Sequence, residues 1–169
     1  MKWNEIEGLS QEGMEEWFRV MLNPASAIQQ KGVIPRMEPH FIGCDFEKGT
    51  AELAFTVKEW ELNPQDMIHG GITNTVFDTS IGLLSHYYTQ PNLLTTVVLT
   101  TSFIKPILLG DTFHVYSQLE NLGGTLVSGR GEIRLERDNI LAATATATFK
   151  IMHKKAEYLD NEELKHESK

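Results

Sequence analysis

Asn63-Pro64-Gln65-Asp66-Met67-Ile68-His69-Gly70-Gly71 runs directly into Ile72-Thr73-Asn74-Thr75-Val76-Phe77-Asp78-Thr79-Ser80-Ile81-Gly82. Two glycines ahead of an apolar periodic run mark a place where the backbone lies open to a ligand. The run itself predicts a helix over residues 72–89, ended by Thr89-Gln90-Pro91-Asn92. Ile72, Val76, Leu83 and Tyr87 share one side, and Phe77, Ile81, Leu84 and Tyr88 widen the apolar arc to about half the circumference. Such a helix is mostly buried. Its polar sector holds Asn74, Asp78, Gly82 and Ser85. The first N–H groups of a helix lack internal partners and carry partial positive charge, so this start favours an anion. Acyl transfer needs such a place for the oxyanion of its tetrahedral intermediate, and one lost donor costs roughly 100–1,000-fold in rate.

Asp78 lies two turns into that helix. A carboxylate there reads as a nucleophile, as a general base that activates water, or as a solvated group on the polar sector. His69 reads as a base, a metal ligand or a residue that shapes the turn. No cysteine, histidine or carboxylate cluster with zinc spacing accompanies it, so no metal is expected. His40, His86, His114, His153 and His166 are scattered. Asn63 before Pro64 is by itself a turn residue. The chain has no Gly-x-Ser-x-Gly elbow and no phosphate- or dinucleotide-binding glycine loop.

Strand patterns flank the helix. Residues 37–60 hold two short ones separated by the turn Glu47-Lys48-Gly49-Thr50, with Leu53, Phe55 and Val57 alternating against polar neighbours. Residues 95–104 place Val97, Leu99, Thr101 and Phe103 on one face and Thr96, Val98, Thr100 and Ser102 on the other. Residues 112–119, 125–136 and 140–152 follow after short turns, so antiparallel pairing is expected. Gly129 and Gly131 read as marks of bulges or a strong bend. Ala143, Ala145 and Ala147 leave one strand face shallow enough for a helix to lie against it. Ahead of all this, Ser10 is a plausible N-cap for an amphipathic helix carrying Met14, Trp17, Phe18, Met21 and Leu22, stopped by Pro24. The pattern as a whole is α+β, one buried helix wrapped by a curved antiparallel sheet.

Composition narrows the class. At 169 residues, with 41% apolar and 22% charged, the chain suits one globular domain with a real core. No stretch has the roughly 20 apolar residues of a membrane span. Met1 to Leu9 lacks the apolar core of an export signal, so a cytoplasmic location is expected. The single cysteine, Cys44, excludes an internal disulfide and reads as a small apolar residue. A net charge of −8 disfavours nucleic acid and anionic membranes as partners.

Asn63, five residues, His69-Gly70-Gly71, six residues, Asp78, three residues and Gly82 resemble the signature of the PaaI-like hot-dog-fold acyl-CoA thioesterases. The strand ending at Pro106, the Gly110-Asp111 turn and the hairpin into Ile140–Thr148 resemble that family too. The likeness covers roughly residues 35–152. It implies a hot-dog domain over 35–152, with residues 1–34 an N-terminal helical extension and 153–169 a polar C-terminal tail. It implies hydrolysis of acyl-CoA thioesters, with no separate cofactor because coenzyme A arrives as part of the substrate. Asp78 would be the general base or nucleophile. Gly70 would polarise the thioester carbonyl through its N–H. Asn63, from the opposite subunit, would orient the nucleophile or water. His69 would position the carbonyl or the turn, and Thr96, or its neighbour Thr95, would hold the water. Gly71 and Lys105 are further candidates to touch substrate, with Arg130 and Arg134 as possible phosphate contacts. The family implies a homodimer, often paired into a homotetramer. The alternative from another class is a non-catalytic acyl-CoA or lipid-binding hot-dog module.

Overall fold

The computed structural model describes residue 3, residues 6–26 and residues 31–155. The expected polar tail beyond Lys155 lies outside the described residues.

Helix α1 (Gln11–Met21) starts where the Ser10 Oγ accepts the Gly13 N–H at 3.1 Å. That bond satisfies one of the orphan donors of the first turn. Its stripe of Met14, Trp17, Phe18 and Met21 is buried in the same core as the rest of the chain. A four-residue helix α2 (Ile34–Met37) follows, then strands β1 (His40–Asp45) and β2 (Thr50–Thr56). The long helix α3 spans Gly70–Thr89, two residues earlier than periodicity predicts. Gly70 and Gly71 are therefore its first two residues and not a lead-in. The reason is the cap: His69 accepts the Gly71 N–H on Nδ1, and its carbonyl accepts from Ile72 and Thr73.

Strands β3 (Asn92–Phe103), β4 (Thr112–Leu122), β5 (Leu126–Leu135) and β6 (Leu141–Lys155) complete the chain. β6 continues past residue 152, where the sequence turns polar. All six strands form one antiparallel sheet in the order β1-β2-β4-β5-β6-β3. β4, β5 and β6 pair with their chain neighbours, but β3 pairs with β6 and occupies the far edge. Residues 104–111 carry the chain from that edge back to the middle of the sheet.

Helix α3 lies on one face of this sheet, and small residues let it come close. Ala143, Ala145 and Ala147 of β6 are buried beneath it. A Cβ on Gly131 would stand 2.9 Å from Phe77 Cδ1, and one on Gly129 2.9 Å from Ile81 Cγ2. These glycines are thus sites of close helix approach, not the bend expected from sequence. The nearby bulge belongs to β4, between Leu119 and Asn121. Phe77, Ile81 and Leu84 are fully buried, each contributing about 1.5–3 kcal/mol.

A second irregularity changes which residues share a face. The β3–β6 register jumps between Thr96 and Val98, leaving Val97 as an extra residue. One inserted residue swaps faces for everything beyond it. Thr96 therefore joins Leu99 and Phe103 on the helix side, while strict alternation separates them. Its hydroxyl bonds to α3, and Phe103 abuts Gly70 at the start of the same helix. No helix among the described residues is long and apolar enough to cross a membrane.

Candidate active site

The start of α3 offers one uncommitted donor. The Gly71 N–H is taken by His69 Nδ1 at 2.9 Å, and those of Ile72 and Thr73 by the His69 carbonyl. Among the described residues the Gly70 N–H has no hydrogen-bond partner. Accepting on Nδ1 leaves the neutral His69 ring with its proton on Nε2. At Gly71 a Cβ would lie 3.0 Å from His69 Nδ1, so the capping ring would have to give by a few tenths of an ångström. At Gly70 a Cβ would stand 3.3 Å from the Phe103 ring. Gly70 lines a cleft of about 410 Å³ together with Asn63, Thr73, Phe103 and Lys105.

Asn63 ties a turn in that cleft wall. Its Oδ1 accepts the N–H groups of Gln65 at 2.8 Å and Met67 at 3.3 Å, which ties the turn in which Asp66 takes φ +58. With the oxygen occupied, the side-chain amide N–H groups are what Asn63 has left to offer.

Asp78 sits elsewhere. Its Oδ1 accepts the Thr96 hydroxyl at 2.7 Å. Both line a separate cleft of about 180 Å³ with Ile34, Gly82, Leu83, His86, Leu94 and Phe149. Thr95, the alternative to Thr96, is exposed and opposite Lys150 in the ladder. The structure therefore brings Asn63, Gly70 and Lys105 together, and Asp78 with Thr96, but it does not bring the two groups together. Gly70 and Asp78 are eight residues apart on one straight helix, about 12 Å along its axis. A nucleophile and an oxyanion donor that act on one carbonyl must both lie roughly 3 Å from it. Within one chain the Gly70 cleft and the Asp78–Thr96 pair are too far apart to act on one carbonyl.

Arg130 and Arg134 belong to neither half. Gly131 faces α3, so its neighbours point the other way, where Arg130 bonds Gln118 and Arg134 bonds Glu132. Cys44 has its thiol pushed up to about 11 by burial, which keeps it protonated and unreactive. No group of three or more His, Cys, Asp or Glu among the described residues is placed to hold a metal.

Sequence reasoning passed over His86 and Ile34. His86 stands two turns beyond Asp78 on the same row of α3, a spacing that helical periodicity alone exposes. Burial pushes its imidazole down to about 4. Ile34 arrives from a distant segment, and no local pattern announces it.

Residues 65–142 match the thioesterase superfamily. No curated protein matches the sequence. Among solved structures, the PaaI protein of E. coli from the phenylacetic acid degradation operon superposes with a TM-score of 0.72 at 18% identity, over 86% of this chain and 97% of that one. A phenylacetic acid degradation-related protein of Ralstonia eutropha gives 0.67 at 25% identity, over 80% and 98%. A Streptococcus mutans protein solved bound to acetyl CoA gives 0.62 at 24% identity, over 70% and 91%. The fold is that of the PaaI-like hot-dog thioesterases.

Proposed function

We propose that this chain is a cytoplasmic acyl-coenzyme A thioesterase whose active site is shared between two copies. Asn63 and Gly70 of one protomer face Asp78 and Thr96 of the other. The observation that carries this reading is the split itself: each half is chemically complete, yet the two lie about 12 Å apart along one helix. A two-fold axis beside α3 sets the start of one helix against Asp78 of the next and makes two equal sites.

In each site the Gly70 N–H polarises the thioester carbonyl and holds the developing oxyanion, with the helix start adding positive potential. The Thr96 hydroxyl fixes one oxygen of Asp78. The other oxygen takes a proton from water as that water attacks the carbonyl carbon. When the tetrahedral intermediate collapses, the C–S bond breaks and Asp78 returns the proton to the coenzyme A sulfur. Direct attack by Asp78 gives an anhydride that water then opens, and uses the same donors. The Asn63 amide donates to the attacking oxygen. His69 is a positioning residue, locking the first turn through Gly71. Lys105 supplies positive charge beside the Gly70 cleft for the anionic part of coenzyme A. It offsets there the unfavourable net charge of the whole chain. The acetyl CoA held by the Streptococcus mutans protein of the same fold supports the choice of substrate.

Release of free thiol from a panel of acyl-CoAs tests the activity, with Asp78→Ala expected to lose it. Tight acyl-CoA binding with no thiol release by the wild type would favour the non-catalytic module instead. Mixing tests the split. Asn63→Asp keeps the turn acceptor and loses the donor, so it and Asp78→Ala should each be inactive alone. Mixed and re-equilibrated, they rebuild one intact site per heterodimer, about a quarter of wild-type activity. Mixtures as dead as their components would overturn the shared site.

A further inference from the structure

From Thr73 to Thr89, helix α3 is buried everywhere except at Asn74, Thr75, Asp78 and Gly82. Asn74, Asp78 and Gly82 stand one turn apart, and with the half-buried Gly70 they form one open row. The row runs beside β3, since Phe103 abuts Gly70 and the Thr96 hydroxyl bonds to Asp78. Asn74 lies midway between those two contacts. Opposite it, on the helix side of β3, come Leu99 and Thr101. The Asn74 Oδ1 and the Thr101 Oγ1 are both buried with no hydrogen-bond partner. A buried polar atom left unpaired destabilises the chain that holds it. The Asn74 Nδ2 is not shut in with the oxygen. It makes no hydrogen bond among the described residues, so an amide donor is what the middle of the row presents outward.

We propose that Asn74 sits on the two-fold of the shared site and pairs there with Asn74 of the second copy, a positioning residue that sets the register of the two helices. This rests on the shared-site reading. Where Gly70 of each chain meets Asp78 of the other, the axis passes the residue midway between them, and that residue is Asn74. The amide suits the place. A half-turn about its last torsion, which is broad and roughly two-fold, exchanges oxygen and nitrogen. One copy so turned accepts on Oδ1 from the Nδ2–H of the other. Its own Nδ2 then replaces the oxygen on the buried side, where the Thr101 hydroxyl lacks a partner. The pair excludes slippage. The row repeats every turn, so a shift by four residues again sets small or polar side chains together. That shift would carry each Gly70 about 6 Å from the carboxylate it serves. It would also part the two amides, and a polar pair at one interface position specifies register in this way.

Cross-linking locates the axis. With Cys44 replaced by serine, Asn74→Cys should be joined to its own copy by a short bis-maleimide. Gly82→Cys should not, because its two copies stand about 24 Å apart along the helices. Substitution tests the pairing. Asn74→Asp sets two carboxylates face to face, and thiol release from the acyl-CoA panel should fall roughly tenfold or more. Re-equilibrated with an equal amount of wild type, it forms heterodimers in which the carboxylate accepts from the wild-type amide. Activity should then reach about three-quarters of wild type or more, against about a quarter if the heterodimer is dead. Asn74→Leu should stay dimeric in sedimentation and lose kcat roughly tenfold, with KM little changed. No cross-link in Asn74→Cys, full kcat in Asn74→Asp or Asn74→Leu, or no rescue by wild type would overturn the assignment. The shared site would stand as long as Asn63→Asp and Asp78→Ala still complement each other. If they do not, both readings fall.

Discussion

The sheet has two edges, and the chain treats them in opposite ways. At β1 the edge is closed from within. The Gln11 side chain donates to the Cys44 carbonyl at 3.0 Å and accepts the Phe46 N–H at 2.8 Å. Phe18 of α1 stacks on Phe41 with ring centroids 5.1 Å apart. At β3 the edge is bare. Val97 is 60% exposed and Phe103 59%. Its 12 residues include no charge and no proline, the devices with which edge strands avoid pairing with other chains. An edge left apolar and unblocked is built to be covered. It is also the site's edge, since Thr96 touches Asp78 near one end and Phe103 touches Gly70 near the other. The closed edge is where this chain finishes its core, and the open one is where the proposed second copy would pair.

The sharpest way to break this contrast is at the open edge. Val97→Lys combined with Val98→Lys changes two exposed side chains, so each chain keeps its fold. Four like charges then meet across the proposed two-fold. The expected outcome is a monomer by sedimentation, with kcat/KM down roughly 1,000-fold or more, because loss of one oxyanion donor alone costs 100–1,000-fold. A monomer with full activity would refute the shared site. At the closed edge the expected effect is on stability. Phe18→Ala removes a fully buried ring and should cost roughly 3–5 kcal/mol in chemical unfolding. The folded fraction should remain dimeric. If Phe18→Ala dissociated the dimer, the two edges would not be independent.

The same contrast explains what the sequence disclosed. The closed half was legible because its signals are local: the Ser10 cap and the Met14 to Met21 stripe each announce an element. The motif from Asn63 to Gly82 was legible as chemistry, since glycines at a helix start and a carboxylate two turns later are unusual on physical grounds. The thioester and coenzyme A came from resemblance. What stayed hidden was non-local. The bulge at Val97 moves Thr96 to the helix side, and period-two counting has no way to register one extra residue. The position of β3 beside β6 depends on a connection that short-turn logic reads as a simple hairpin. Gly129 and Gly131 make sense only once Phe77 and Ile81 are seen pressing on them.

His86, buried between α1 and the Asp78 cleft, offers a pH test. Its folded pKa is about 4 against an ordinary 6.5. Between those values the unfolded chain binds a proton that the native chain does not. Stability is therefore fully present above pH 6.5 and is lost as pH falls toward 4, by up to roughly 3 kcal/mol. His86→Leu should flatten that part of the profile, measured as urea unfolding at pH 7 and pH 4.5. An identical pH slope in wild type and variant would mean that His86 is not held neutral by the fold.

The smallest expected effect lies at the first turn of α1. Ser10 is held three ways: its Oγ accepts the Gly13 N–H, its own N–H donates to the Tyr87 hydroxyl at 3.1 Å, and its carbonyl accepts from that hydroxyl at 2.8 Å. Ser10→Ala deletes the first bond alone, because the other two belong to the backbone. The cost should be about 1 kcal/mol, the usual worth of an N-cap. It should appear as a small drop in melting temperature. Turnover of the acyl-CoA panel should not move, since Trp17 lies two turns further along α1 and keeps its ring against His86, centroids 5.1 Å apart. Changed turnover in Ser10→Ala would mean that the closed edge is coupled to the chemistry proposed for the open one.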